Sequence, residues 1–202
     1  MRDVTGTALT PGRRGRRCDP PGLVVSRCRV RPVASVIARR GLAVRLSAAA
    51  DAAFGTSLPT GPRVAVGRGM TFVWSGPGSW LAEAHEDVAD VESLLLGSFD
   101  GLAAVCEQTE SRVVLELRGP RVRDVLCKGV PIDLHPDRFR THDVALTAVG
   151  HISVQLRQVS DEPAFRIGVA GSYFASFWHW LESSAAEFGC EVTTASASEP
   201  DR

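Results

Sequence analysis

The sequence predicts an α+β fold made of two ferredoxin-like halves packed together, and three observations lead to this prediction. From Arg112 to Arg118 apolar and polar residues alternate, which is typical of a half-buried strand. Between residues 172 and 188 apolar residues recur at helical spacing, which indicates an amphipathic helix. Strand-like and helix-like segments follow one another in a similar way in residues 33–108 and 109–190, so each half is predicted to contain its own strands and helices.

The first half is predicted to contain strands, a helix, a hairpin and a second helix. Ser47 is a candidate N-cap for a helix that runs through Phe54 and ends at Gly55. The segments RVAVG (63–67) and GMTFVW (69–74) predict a hairpin with a glycine-containing turn. The other predicted elements are one or two strands over 33–46, a strand over 79–84, a helix over 86–96, and a strand pair formed by 103–108 and 112–117.

The segment SRVVLELRGPRVRDVLCKGVPIDLHP (111–136) predicts a strand, a tight turn, a short helix and a fixed exit loop. Gly119-Pro120 ends the strand, and proline suits the first position of the helix over 120–128 because its φ is already helical. We expect Gly129 to end this helix in the left-handed conformation. The inward-facing residues are Val122, Val125 and Leu126, and the exit loop is stiffened by Pro131 and Pro136.

The helix predicted over 172–188 carries two aromatic residues outside its apolar stripe. Tyr173 and Trp180 lie about 100–120° from the centre of that stripe at 3.6 residues per turn. They either widen the core contact or form a surface for a partner, since Trp and Tyr are enriched at interfaces. The stripe consists of Phe174, Phe177, Trp178, Leu181, Ala185 and Phe188, and the strands before it are predicted near 143–149, 151–158 and 164–169.

Charge is unevenly distributed along the 202 residues, although the net charge is zero. Residues 1–40 contain ten arginines and two aspartates, which leaves an acidic body and argues against a nucleic-acid partner. We predict that residues 1–32 form a disordered arginine-rich tail; an arm that binds nucleic acid or membrane is the alternative. The folded domain is predicted over 33–190, and residues 191–202 are predicted to form a disordered C-terminal tail.

The cysteine pattern and hydropathy predict a cytoplasmic protein without a membrane segment. Five cysteines are scattered along the chain with no C-x-x-C pair, which favours reduced thiols over a disulfide framework or a zinc site. No apolar run approaches the roughly 18 residues of a membrane span. We also find no convincing signal peptide.

No group of residues in the sequence points to catalysis, metal binding or cofactor binding. His135, His142 and His151 lack the spacing of metal ligands, and the glycine turns lack the dinucleotide-binding pattern. We therefore expect turn and capping roles for these histidines. A basic cluster around the predicted helix 120–128 either holds an anion or forms a solvated, ion-paired face; it consists of Arg118, Arg121, Arg123 and Lys128.

Two blocks of the sequence resemble the gamma subunit of heterotetrameric sarcosine oxidase. They are RGPRVRDVLCKGVPIDLHP at 118–136 and SYFASFWHWLESSAAEFG at 172–189. One departure is Val130, where members of this family often have a cysteine after the Lys-Gly pair. The resemblance implies the folate-binding fold of aminomethyltransferase T-proteins, and fold alone implies no activity.

The resemblance further implies a non-catalytic subunit of a flavin-dependent complex. Such a complex oxidises sarcosine to glycine with release of hydrogen peroxide, and tetrahydrofolate accepts the one-carbon unit. FAD, FMN and NAD are implied in the alpha and beta chains and zinc in the delta chain, while the gamma chain contacts mainly the alpha chain. The residues expected to be structural or interfacial are Arg118, Gly119, Pro120, Arg121, Val122, Pro131, Ile132, Asp133, Leu134, His135, Tyr173, Trp178 and Trp180.

Two other functions remain open on the sequence alone. A free-standing folate- or flavin-binding module would need a carboxylate placed for a pterin and a preformed pocket. An RNA-binding module would need stacking aromatic residues on central strands, where the candidates are Phe72, Trp74 and Phe165. The acidic body argues against the second of these.

Overall fold

The computed structural model describes residues 9–86 and 88–196, and these divide into two compact units. Unit I contains residues 9–29, 110–141 and 145–196. Unit II contains residues 142–144 and the described residues between 30 and 109. The chain therefore passes from unit II into unit I between Thr109 and Glu110, next to the boundary of the two halves expected from the sequence.

The described residues form twelve strands and four helices. The strands are β1 (Gly12–Arg14), β2 (Leu23–Cys28), β3 (Val33–Ala38), β4 (Val64–Val66), β5 (Met70–Gly76), β6 (Ser79–Ala84), β7 (Ala103–Glu107), β8 (Arg112–Arg118), β9 (Val144–Val149), β10 (Ile152–Ser160), β11 (Ala164–Ala170) and β12 (Cys190–Ser196). The helices are α1 (Ala43–Phe54), α2 (Val91–Phe99), α3 (Val122–Cys127) and α4 (Phe174–Ala185), the last preceded by a 3-10 turn over Gly171–Tyr173.

Unit II is a ferredoxin-like layer of one sheet and two helices. Its strands lie in the order β4-β5-β6-β3-β7, and each pair of neighbouring strands is antiparallel. The chain order β3-α1-β5-β6-α2-β7 is the βαββαβ arrangement of ferredoxin-like folds. Helices α1 and α2 cover one face of the sheet, where Phe54 packs edge-on against Phe72 and Phe99 with ring centroids 5.5 and 6.1 Å away.

Unit I has the same plan with an additional central strand. Its sheet has the order β1-β12-β2-β8-β11-β10-β9. Strand β2 lies between β12, to which it is parallel, and β8, to which it is antiparallel. Helices α3 and α4 contribute buried residues to the core on one face of this sheet, including Leu126 and Phe177. The prediction of an α+β fold is thus confirmed.

The prediction of a disordered tail over residues 1–32 is wrong for the described part of that segment. Leu23 and Val25 are fully buried in the core of unit I, and β1 pairs with the last strand, β12. The short apolar alternation in LVVSRC was obscured by the surrounding arginines, glycines and prolines. Residues 191–196 likewise form β12 rather than a disordered tail, while residues 1–8 and 197–202 lie outside the described residues.

Two local predictions are also corrected. Residues 43–46 belong to α1 and not to a strand, and Ser47 lies inside this helix, where its Oγ accepts a hydrogen bond from Leu58 N at 3.0 Å instead of capping the helix. Gly55 ends α1 in the left-handed conformation, as predicted. Strands β7 and β8 do not pair with each other, because β7 pairs with β3 in unit II and β8 pairs with β2 and β11 in unit I.

Candidate functional site

The turn at Gly119 is held against the chain segment that leads into β2. Gly119 has a φ of 122°, and a Cβ atom at this position would lie 2.6 Å from the carbonyl oxygen of Gly22. The same oxygen accepts a hydrogen bond from Arg121 N at 3.0 Å. Only glycine combines this φ with so close an approach of two backbones. The Gly-Pro turn therefore joins the beginning of α3 to the central strand β2.

Helix α3 packs inward as the sequence predicted. Val122, Val125 and Leu126 are fully buried in the core of unit I. The reason for glycine at the end of this helix differs from the prediction, because Gly129 is not among the residues with positive φ. A Cβ atom on Gly129 would instead lie 2.6 Å from Cζ2 of Trp180. Glycine makes room for the indole ring at this position.

The exit loop after α3 is held by one arginine. Arg123 Nε donates a hydrogen bond to the carbonyl oxygen of Leu134 at 2.9 Å, and its Nη2 donates to Gln158 Oε1 at 3.2 Å. The guanidinium group also lies over the ring of Phe165, 5.3 Å from its centroid. Within the loop, the Asp133 carboxylate accepts a hydrogen bond from His135 N at 2.9 Å. These bonds fix the loop while Pro131, Asp133 and His135 remain exposed, Ile132 is half-buried and Leu134 is buried.

The basic residues around α3 are engaged by groups of the chain itself. Arg118 pairs with Glu116 at 2.6 Å, Arg121 pairs with Asp124 at 3.1 Å, and Lys128 pairs with Glu187. Arg123 binds the exit loop. Of the two interpretations left open by the sequence, the ion-paired face therefore agrees with the structure better than an anion site.

The two aromatic residues singled out in the last helix have different environments. The side chain of Tyr173 is on the surface, and the residue is 57% exposed. Trp180 is half-buried against the core, and its ring centroid lies 5.8 Å from that of Phe177. Trp178 is also half-buried, and the guanidinium of Arg14 lies 5.5 Å from its ring centroid. Trp180 thus widens the core contact, and Tyr173 is the residue of this pair that is available to a partner.

Two of the three histidines considered in the sequence analysis, His142 and His151, lie in turns. His142 and His151 have positive φ values of 71° and 77°. His135 Nδ1 accepts a hydrogen bond from Asp137 N at 3.3 Å and is exposed. Within residues 9–86 and 88–196, no group of three or more His, Cys, Asp or Glu side chains is placed to hold a metal ion.

A cleft of about 540 Å³ in unit I was not anticipated from the sequence. It is lined by residues 13–18, Pro21, Gly189 and Cys190. The arginines of the lining make the cleft positively charged, and nearby carboxylates offset part of this charge. Arg13 lies 3.4 Å from Asp19, and Arg14 lies 2.7 Å from Glu182. Burial raises the pKa of the Cys190 thiol to about 11. The lining contains neither a carboxylate nor an aromatic ring, so it does not fit a pterin.

Comparison with solved structures defines the class of fold. The chain is similar to the aminomethyltransferase T of the glycine cleavage system from Bartonella henselae, with a TM-score of 0.55 and 12% identity over 87% of this chain and 48% of that chain. It is also similar to a chain of the heterotetrameric sarcosine oxidase from Corynebacterium sp. U-96 in complex with pyrrole 2-carboxylate, with a TM-score of 0.72 and 28% identity over 82% of this chain and 85% of that chain. The fold is therefore of the folate-binding type found in aminomethyltransferases.

Sequence comparison identifies the family within that class. Residues 40–187 match the family model of the sarcosine oxidase gamma subunit. The curated gamma subunit from Corynebacterium sp. (strain P-1) is 33% identical over 146 residues, covering 71% of each chain. The gamma subunit from Arthrobacter sp. is 31% identical over 144 residues, covering 70% of each chain. The chain belongs to the sarcosine oxidase gamma subunit family. No helix in the described part of the chain is long and apolar enough to cross a membrane.

Proposed function

We propose that this chain is a non-catalytic gamma subunit that supports the flavin-dependent oxidation of sarcosine in a heterotetrameric complex. The observation that carries this proposal is that the basic side chains of residues 118–136 bind other groups of the same chain. Arg118, Arg121, Arg123 and Lys128 bind carboxylates, a carbonyl oxygen or an amide of the same chain. The segment thus fixes a local shape, and its charged groups are already engaged.

The reaction belongs to the other chains in this proposal. Sarcosine loses its N-methyl group as a one-carbon unit that tetrahydrofolate accepts, glycine is formed, and oxygen is reduced to hydrogen peroxide. FAD, FMN and NAD are held by the alpha and beta chains and zinc by the delta chain. The gamma chain carries no active site and contacts mainly the alpha chain. No disulfide joins any of its five cysteines in the described part of the chain, and this favours a cytoplasmic location.

The exposed residues of the two signature blocks are the proposed contacts with the partner chains. Pro131, Asp133 and His135 lie on the surface of a loop that Arg123 holds in place. Tyr173 is 57% exposed at the beginning of α4. A rigid loop and an exposed aromatic residue suit an interface because little side-chain freedom is lost on binding. The buried members, Val122 and Leu134, and the half-buried Trp178 and Trp180 support this surface from within.

The proposal is tested by purifying the affinity-tagged chain from its native host. We expect three further polypeptides, identified by mass spectrometry as the alpha, beta and delta chains, with flavin absorbance and sarcosine-dependent formation of hydrogen peroxide. The Tyr173→Ala variant should retain less of the partner chains. Leu96→Ala is the matched control, since Leu96 is 44% exposed on α2 and is not assigned to the interface.

A colourless chain that purifies alone would contradict the subunit function. Folate or flavin titration of that isolated chain would then test the alternative, a free-standing binding module. The residues described here give that alternative little support. Glu116 is a buried carboxylate, but it is engaged by Arg118 at 2.6 Å and Arg166 at 3.0 Å and is not open to a pterin.

A further inference from the structure

Arginine is the only charged residue type in the lining of the cleft of unit I, which we call the arginine cleft. Its lining consists of residues 13–18, Pro21, Gly189 and Cys190, so four of the nine residues are arginines. Its volume of about 540 Å³ lies within the range of roughly 300–1,000 Å³ that is typical of small-molecule sites. A cleft of this size with one sign of charge raises the local concentration of ligands of the opposite sign. It is therefore a candidate site for a small anion.

The loop that carries these arginines is fixed by close backbone contacts with the chain after α4. Arg16 N donates a hydrogen bond to the carbonyl oxygen of Ala186 at 2.7 Å. Gly15 has a φ of 71°, and a Cβ atom on it would lie 2.6 Å from Cα of Ala186. Gly189 has a φ of 73°, and a Cβ atom on it would lie 2.5 Å from the carbonyl oxygen of Arg16. The arginines thus start from a fixed backbone, which lowers the entropy lost when a ligand binds.

Two of the four arginines already have carboxylate partners in the same chain. Arg13 lies 3.4 Å from Asp19 and 3.9 Å from Glu191. Arg14 lies 2.7 Å from Glu182. The charges of these two arginines are therefore balanced within unit I, and neither is needed to account for a ligand.

The other two arginines, Arg16 and Arg17, carry the unbalanced charge of the cleft. Both are exposed, and no residue in the described part of the chain forms an ion pair or a hydrogen bond with either side chain. A guanidinium group offers donors in a planar fork that matches the oxygens of phosphate and carboxylate groups. A phosphate monoester carries a charge of about −1.5 to −2 at pH 7, whereas a carboxylate carries about −1. One phosphate group therefore balances two neighbouring arginines, and one carboxylate does not.

We propose that the arginine cleft binds a small phosphorylated molecule, whose phosphate group is held by Arg16 and Arg17. The rest of the ligand lies beside the uncharged part of the lining, which includes Pro21 and Gly189. The lining has no aromatic ring on which a base could stack, so the site favours the phosphate ester of a small aliphatic molecule over a nucleotide. The cleft is lined by residues outside the range 40–187 that matches the family model, and ligand binding there goes beyond the proposed subunit function.

Alkylation of Cys18 by iodoacetamide reports whether the cleft is occupied, because Cys18 is a half-buried residue of the lining and the reagent is uncharged. The full-length tagged chain is used in the assembly in which it purifies, and glycerol 3-phosphate is the probe. We expect saturating probe to slow the labelling of Cys18 by roughly fivefold or more, because a bound ligand covers the thiol and its negative charge disfavours the thiolate. The exposed Cys106 and Cys127 are internal controls and should be labelled at unchanged rates. Mass spectrometry of the labelled peptides gives the rate at each cysteine and the apparent Kd from the dependence on probe concentration.

A pair of double variants separates a site from general attraction by positive charge. Replacing Arg16 and Arg17 with glutamine should raise the apparent Kd by roughly tenfold or more, since charge-assisted hydrogen bonds are lost. The matched control replaces Arg39 and Arg40 with glutamine, because these are also adjacent, exposed arginines and neither lines the cleft. At about 0.1 M salt, where charges more than about 10 Å apart are largely screened, the control should stay within about twofold of wild type.

Four results would overturn the inference. Equal weakening by the two double variants would show long-range attraction without a site. Succinate that protects Cys18 at lower concentrations than glycerol 3-phosphate would assign the cleft to carboxylates, and inorganic phosphate that protects it as well as the ester would assign it to the free anion. A Cys18 thiol that is unreactive before any ligand is added would show that the cleft is closed in the purified assembly. The subunit function is tested separately by co-purification and stands or falls on that result.

Discussion

Gly129 and Trp180 are placed so that the backbone of one residue lies against the indole ring of the other. A Cβ atom on Gly129 would be 2.6 Å from Cζ2 of Trp180 and 2.9 Å from its Nε1. On Gly150, in the turn between β9 and β10, a Cβ atom would lie 3.8 Å from Cδ1 of the same ring, which is an ordinary contact distance. The end of α3 and the indole of α4 thus fit together because residue 129 has no side chain. This contact links the two sequence blocks that identify the family.

Replacing Gly129 with alanine is expected to destabilise the chain by about 2 kcal/mol, because adding atoms to a packed site forces neighbouring groups to move. The measurement is the free energy of unfolding from urea denaturation. Gly97→Ala is the matched control: Gly97 lies inside α2, and a Cβ atom there meets no heavy atom within 4 Å. Alanine is the better helix former, so this control should stabilise the chain by roughly 0.5–1 kcal/mol. Equal effects of the two substitutions would show that the indole contact has no energetic role.

Replacing Arg123 with lysine is expected to loosen the exit loop over 130–139. Lysine keeps the charge but cannot donate in two fixed directions, to Leu134 O at 2.9 Å and to Gln158 Oε1 at 3.2 Å. We expect a loss of about 1.5–3 kcal/mol, typical of hydrogen bonds to charged groups, and faster amide exchange in the loop. The control, Arg138→Lys, changes an exposed arginine of the same loop. We expect its free energy of unfolding to stay within about 0.5 kcal/mol of wild type and its amide exchange rates to stay within about twofold. Unchanged exchange in Arg123→Lys would show that the loop is fixed by other contacts.

Replacing Glu116 with glutamine is expected to lower the free energy of unfolding by about 3 kcal/mol. The Glu116 side chain is 1% exposed and accepts hydrogen bonds from Arg118 at 2.6 Å and Arg166 at 3.0 Å. Removing one charge from a buried ion pair is costly because the remaining charge stays desolvated. Asp124→Asn provides the comparison, since the Arg121–Asp124 pair has both side chains 50% exposed and should contribute less than about 1 kcal/mol. Thermal or urea unfolding of both variants measures the difference, and similar losses would contradict the ranking by burial.

The sequence predicted those strands and helices in which apolar residues recur on the one face that is buried. The alternation in Arg112–Arg118 and the helical spacing around Phe177 are set by one buried face each, so both elements were found. Strand β2 was missed because it lies between two other strands of the sheet and is only six residues long within an arginine-rich segment. Its place depends on pairing with residues of β8 and β12 that are far away in the sequence, which no local pattern contains.

The candidate site was also only partly predictable, because a local pattern does not show which distant residues pack against it. The sequence indicated that Gly119 and Gly129 matter, but the reasons for glycine come from distant residues, Gly22 and Trp180. Similarly, the spacing in the last helix placed Tyr173 and Trp180 together on one side, whereas the end of α3 covers only Trp180. Periodicity assigns a residue to a side of its helix, and burial depends on what packs against that side.

The buried thiol of Cys190 is expected to affect both reactivity and the pH dependence of stability. Cys190 is 2% exposed, and burial raises its pKa from 9.0 to about 11. As the pH rises, the thiol loses its proton in the unfolded chain before it does so in the folded chain, so the folded state binds more protons between pH 9 and about 11. The free energy of unfolding therefore falls as the pH rises through that window. Below pH 9 this contribution to stability is fully present.

Two measurements test this prediction. Iodoacetamide at pH 8 should label the exposed Cys106 and Cys127 in the native chain and leave Cys190 unmodified until the chain is unfolded, because the reactive thiolate is both scarce and inaccessible there. In urea unfolding at pH 9 and pH 10.5, the loss of stability should be smaller in Cys190→Ala than in wild type. The cavity left by this substitution lowers stability equally at both pH values, so the difference between the two losses isolates the titration of the thiol. Parallel pH profiles, or native labelling of Cys190 as fast as that of Cys106, would show that the thiol is not held protonated by burial.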